Sequence, residues 1–477
     1  MRALIFSRVG IDRAATRHAT LFAILSLFFL ITISTSTFAQ HPLPYQSQHA
    51  TLGTVTCASS LCHGSIKQWK ESNVLQNEYF TWSRLDKHAR AYGVLLNDKS
   101  VRMAKNLKLA QPAHESKVCL DCHAHVVPEP LRGERFVQRD GITCESCHGP
   151  AEKWIRTHVE PSQAGVNQHA KNIADGMFPT SDAVSRAALC MSCHFGNQDK
   201  LVNHRMMAAG HPRLSFELDT FSELAPKHFV VDQDYASRKK VWDGAKTWGV
   251  GQALAVAETM RILQDPKHGR DGLFPELVLF DCHACHHPMS ANRWEPKSGT
   301  NTRVAPGLVR LNDSSMLMLR AISDVIEPSL GVAVAAQTQK LHRAIAGETA
   351  GVADAWTEAR NLQALALTAS RQIAETNFTS ATMQSVLQRL IMDGAQNGYS
   401  DFAAAEQATL AIGSIGAYLA TRNALAQPRE FNAHLKKINL ALKNDELFKP
   451  GEFATLLKNL QPFLATKTKI AAAGVKP

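Results

Sequence analysis

The chain has 477 residues, room for two or three domains, and its 45% apolar and 20% charged residues exclude a disordered or low-complexity polymer. The formal charge of +10 would suit a nucleic-acid binder, but Lys and Arg are scattered rather than clustered. Four Arg and one Asp sit in an N-terminal leader whose loss would leave +7, so no nucleic-acid partner is expected.

The leader comes first. Arg2, Arg8, Arg13 and Arg17 precede an apolar run, Leu21 to Ile33, and Thr37-Phe38-Ala39 offers a small-residue cleavage point before Gln40. This predicts a signal peptide over 1–39 and an exported, periplasmic mature chain. An uncleaved membrane anchor is the competing reading, although the run is short for a span of about 20 residues. Residues 40 to about 56, with Pro42 and Pro44, read as irregular.

From residue 57 to about 300 the chain is organised by cysteine. Ten cysteines form five close pairs, and each pair is followed at once by histidine. They are Cys57 and Cys62 with His63, Cys119 and Cys122 with His123, Cys144 and Cys147 with His148, Cys190 and Cys193 with His194, and Cys282 and Cys285 with His286. Four of these are Cys-x-x-Cys-His, where chance at this composition would give roughly 0.01 such strings. Cysteines at i and i+3 share one side of a helical turn and can form thioethers to the two vinyl groups of a haem. Histidine at i+4 then points at the iron.

Other chemistries explain less. Disulfides are permitted outside the cytoplasm but give no reason for the histidines. Zinc sites combine two pairs, and five is an odd number. Thioredoxin-like pairs occur once per domain. The first motif, CASSLCHG, carries four residues between its cysteines. Two of them can bulge outward while both thiols still reach a haem, and a Cys57–Cys62 disulfide is the alternative. Five covalent c-type haems are therefore expected in a region of short helices and long loops, in which porphyrin supplies much of the apolar material to be buried.

Each iron needs a second axial ligand or stays open. Thirteen further histidines lie between residues 40 and 300. The best placed are His88 in LDKHARAY, His158 in CHGPAEKWIRTH, and His204 and His211 bracketing HRMMAAGHPRLSFEL. His125 and His228 are weaker candidates. Pro212 biases His211 towards extended backbone, and Gly210 permits close approach of the chain. Met206, Met207 or Met289 could ligate instead and would raise the potential. His283 and His287 flank the last motif and suit propionates or another haem.

After about residue 300 the cysteines stop and Ala, Leu, Gln and Lys recur at helical spacing. Helices are predicted near 313–326, 331–346, 351–375, 380–394, 400–423, 428–443 and 451–464, with Asp313, Thr379 and Ser400 as N-caps. The overall expectation is an all-α protein: signal peptide 1–39, pentahaem domain 40–300, and a helical bundle 301–477 that serves as scaffold or docking surface.

With the motifs in place, the chain resembles the multihaem cytochromes of the cytochrome c-554 group, which are related in haem packing to hydroxylamine oxidoreductase and the pentahaem nitrite reductases. The matching strings are CESCHGPAEKW, GHPRLSFEL, FDCHACHHPM and DKHARAY, and the resemblance covers 57 to about 295. Cytochrome c-554 is tetrahaem, so the fifth motif and the stretched first motif are departures from the pattern. The resemblance implies electron transfer through stacked porphyrins, with redox partner proteins and a membrane-associated electron-transfer complex as expected partners. The alternative is an oxidoreductase acting on nitrite, hydroxylamine or nitric oxide at one five-coordinate haem. The Cys-x-x-Cys-Lys motif common at that catalytic haem in pentahaem nitrite reductases is missing from the sequence.

Overall fold

The computed structural model describes residues 41–464 except 71, 73, 161–164, 240, 271–272, 287–309 and 348–350. The expected leader, His287 and Met289 lie outside the described residues. Among the described residues every regular element is a helix, and the only pairings of extended chain are three isolated bridges, Thr51–Arg132, Val74–Phe229 and Phe280–Leu311.

From residue 41 to about 243 the helices are short, and local caps explain where several begin. Asn97 accepts from Ser100 N, Asp182 from Ser185 N, and Asn203 from Met206 N. The regular motifs sit at helix ends or fill whole short helices. Lys117–His123 and Ala183–His194 both finish on the motif histidine, Cys144–His148 is itself a helix, and the fifth motif opens on a 3-10 turn, Cys282–Ala284. The stretched first motif is not helical. It folds as a turn in which Ser59 O accepts from Cys62 N (2.9 Å) and Gly64 N (2.9 Å), and Cys57 O accepts from His63 N (3.1 Å). The two extra residues are absorbed in that turn ahead of His63.

Long helices follow, with bounds close to those expected: Ser314–Ile326, Pro328–Ile345, Val352–Glu375, Ser380–Ala395, Phe402–Thr421, Pro428–Ala441 and Pro450–Lys458. Two caps differ from expectation. Asp401, not Ser400, caps its helix, accepting from Ala404 N at 2.8 Å. Asp313 occupies an N-cap position, but its carboxylate faces Arg310 (3.5 Å) and His342 (3.4 Å) and makes no side-chain cap bond.

One long helix arises earlier than the sequence suggested. Gly244–Gln264 lies within the stretch where only short helices were expected, yet it packs against Val352–Glu375 and Ser314–Ile326. Sixteen of its 21 residues are buried, so it is enclosed on nearly every side and shows no amphipathic stripe to mark it out. It enters the main core with Trp248, Met260 and Leu263, which pack with Ile322, Leu341, Leu390, Ile415 and Phe431. Ala183, Ala187 and Met191, from the helix that carries the fourth motif, join the same core. The described residues from Pro42 onward form one compact unit, and no helix among them is long and apolar enough to cross a membrane.

Candidate functional site

None of the ten motif cysteines is paired in a disulfide. Cys282 and Cys285 are exposed, and the others are partly buried. What distinguishes the arrangement is the surroundings of the five motif histidines, each of which faces one further histidine. His63 faces His158 at 6.4 Å between ring centroids, His123 faces His211 at 6.4 Å, and His148 faces His228 at 6.3 Å. His194 faces His88 at 5.9 Å, and His286 faces His204 at 6.1 Å. The ring planes are within 12° for His63/His158 and 31° for His204/His286, and 75°, 83° and 90° apart for His123/His211, His88/His194 and His148/His228.

The separation has a simple meaning. A metal–imidazole bond of about 2.0 Å plus roughly 1.1 Å from nitrogen to ring centre, taken twice, puts two imidazoles on one metal about 6.2 Å apart. All five pairs fall near that figure, so the residues fit an iron held between two imidazoles, with cysteines beside it for covalent attachment. Among the described residues no three of His, Cys, Asp and Glu converge as a bare metal cage would require.

Hydrogen bonds orient the rings. His63 Nδ1 meets Glu78 Oε2 at 3.0 Å, and His88 Nδ1 meets Asp86 Oδ1 at 2.9 Å. His123 Nδ1 donates to Ala91 O (3.2 Å), His158 Nδ1 to Ile155 O (2.8 Å), and His211 Nδ1 to Pro212 O (2.8 Å). In all five rings Nδ1 is engaged and Nε2 is left for a metal. Burial tends to raise the Glu78 and Asp86 carboxyls, but the facing imidazoles and nearby backbone N–H groups outweigh it and hold both below the usual range. Desolvation pushes His148 down to about 3 and His194 to about 4, so both stay neutral, the form a metal takes up.

The sites do not follow chain order. Cys57 lies within hydrogen-bond reach of Cys144, and Cys122 of Cys193, so the first motif abuts the third and the second abuts the fourth. Cys147 lies near enough to Cys190 and Cys193 for their charges to interact, which sets the third motif near the fourth. The helix His204–Ala208 carries the partner of the fifth motif and is followed directly by His211, the partner of the second. The spatial order is therefore first, third, fourth, second, fifth.

Local structure explains how the facing histidines reach their places. His158 is braced edge-on by Trp154 at 5.2 Å. The buried Glu276 accepts from His204 N at 3.0 Å, tying the His204 helix to the segment that leads into the fifth motif. Gly210 adopts φ +119°, turning the chain sharply between the His204 helix and His211, and a Cβ at this position would rest against Met103 Cγ. The sequence ranked His125 and His228 alike, and the structure separates them. His228 faces His148, whereas His125 is buried, bonded to Thr143 Oγ1 at 2.9 Å and packed edge-on to Phe136. His283 meets Phe402 edge-on at 5.8 Å. Histidine, not Met206 or Met207, stands opposite every motif histidine. The sequence reading passed over Glu78, Asp86, Glu276 and Trp154. Asp86 and Trp154 lie inside strings already of interest, two and four residues before a facing histidine, which was the available signal.

Five cysteine–histidine motifs, each with an opposed histidine, make an arrangement that haem fits. Residues 56–149, which contain the first three motifs, are a domain of the family described as cytochrome c554 and c-prime, and that match implies haem c binding. No curated protein matches the chain, and no solved structure matches it.

Proposed function

We propose that the chain is an exported, periplasmic pentahaem c-type cytochrome that carries electrons. Covalently bound haem supplies one-electron ferric–ferrous chemistry. The protein's part is to attach, clamp and insulate. Cys57, Cys62, Cys119, Cys122, Cys144, Cys147, Cys190, Cys193, Cys282 and Cys285 form the thioethers. His63, His123, His148, His194 and His286 bind one face, and His158, His211, His228, His88 and His204 the other.

The observation that carries this reading is the pairing of all five motif histidines. An enzyme of the nitrite or hydroxylamine type needs one axial position for substrate, and here a second imidazole stands at each. Two histidines per iron also favour lower potentials than His/Met ligation. The spatial order gives a conduit with the first and fifth motifs at its ends. Cys282, Cys285 and His286 are exposed at one end, and Leu61 and Ile66 at the other, so redox partner proteins would dock there. A membrane-associated electron-transfer complex is the natural setting, with the helical bundle as its contact surface.

The test is the intact mass of denatured protein made in a host with haem-ligation machinery, together with a reductive titration without substrate. Five covalent haems that reduce and reoxidise reversibly are expected. Fewer haems, or none resistant to denaturation, would refute the reading.

A further inference from the structure

The five clamps are not chemically equal. His63 donates to the carboxylate of Glu78, whose other oxygen is fixed by Leu75 N (2.8 Å) and Gln76 N (3.2 Å). His88 bonds Asp86 Oδ1 through both its ring Nδ1 and its backbone N–H, each at 2.9 Å. Both carboxylates are partly shielded, with side-chain exposures of 16% and 23%, so solvent screens them incompletely. In the His123/His211 pair both Nδ1 groups meet backbone carbonyls instead. An imidazole bonded to a carboxylate is a more basic ligand than one bonded to a neutral carbonyl, and it favours the more highly charged ferric iron.

We propose that Glu78 and Asp86 are positioning residues that lower the reduction potentials of the haems on the first and fourth motifs relative to that on the second. The inference rests on the pentahaem reading above and gives the conduit a direction. Low-potential sites stand at its first-motif end and immediately before the second motif, so the step from the fourth motif to the second runs downhill.

The test uses the full holoprotein with Asp86→Asn and, separately, Glu78→Gln. Asparagine keeps the Oδ1 acceptor and remains a good N-cap for Lys87–Arg90, so D86N removes charge and little else. Midpoints are read by potentiometric titration followed by electron paramagnetic resonance. Near-parallel and near-perpendicular imidazole planes give different low-spin signals, so the two variants act on different classes of signal. D86N is expected to raise one near-perpendicular component by on the order of tenfold in its reduction equilibrium, about 59 mV for one electron. E78Q is expected to raise one near-parallel component similarly. Unchanged midpoints in protein that keeps five low-spin haems would overturn this inference and leave the pentahaem reading standing. High-spin iron or missing haems in the unmutated protein would overturn the reading itself.

Discussion

His228 and His125 show what single side chains decide. Both are histidines in the cysteine-rich stretch, but one faces His148 at 6.3 Å and the other is bonded to Thr143. His228→Ala should leave one iron with a vacant face and add a high-spin ferric signal from one haem in five, while His125→Ala should add none. Spectra of the two variants check this, and a high-spin signal from the His125 variant would reverse the assignment. His125 also carries a pH dependence of its own. Burial, with help from Lys200, pushes it down to about 4 from an ordinary 6.5. The unfolded chain therefore binds the extra proton between these values. The folded protein should lose stability as pH falls from about 6.5, by up to about 3 kcal/mol near pH 4. His125→Asn, which keeps a polar partner for Thr143, should flatten that slope in denaturant titrations at pH 4 and 7.

The helical elements show how far the sequence was legible and why it stopped. The helices after residue 310 were readable almost to their ends because apolar spacing and punctuation by Pro428 and Gly398 agree there. Gly244–Gln264 escaped because a helix buried on all sides has no periodic stripe, and because it lies within the cysteine-rich stretch. The motif cysteines and histidines were legible from spacing alone. The pairing of histidines was not, since His88 and His194, or His148 and His228, meet only through the fold. One element-level junction is also invisible in sequence. Asp281 N bonds Arg310 O, Asn312 N bonds Leu279 O, and the buried Arg310 guanidinium reaches Asp401 at 2.6 Å. Burial works to lower the Arg310 pKa, but Asp313, Asp401 and Asp281 outweigh it and keep it charged. The fifth motif is thereby fastened to the bundle through a buried ion network. Arg310→Met should cost about 3–5 kcal/mol by stranding buried carboxylates. Thermal unfolding checks this, and a loss below about 1 kcal/mol would mean the carboxylates find other partners.

At the scale of the whole molecule, the bundle draws the helix of the fourth motif into its core while Tyr92, Leu95, Ala104 and Leu120 form a second, smaller one, and the histidine pairs lie in an order different from that of the chain. Each motif is brought beside a non-sequential neighbour, first with third and second with fourth, which favours transfer between close sites over a linear relay along the backbone. The central claim is that every iron is held between two imidazoles. Electron paramagnetic resonance of the oxidised holoprotein tests it most directly. The account predicts only low-spin ferric iron, two haems of near-parallel and three of near-perpendicular type, unchanged by nitrite, hydroxylamine or nitric oxide. A high-spin ferric signal that shifts when one of these is added would contradict it.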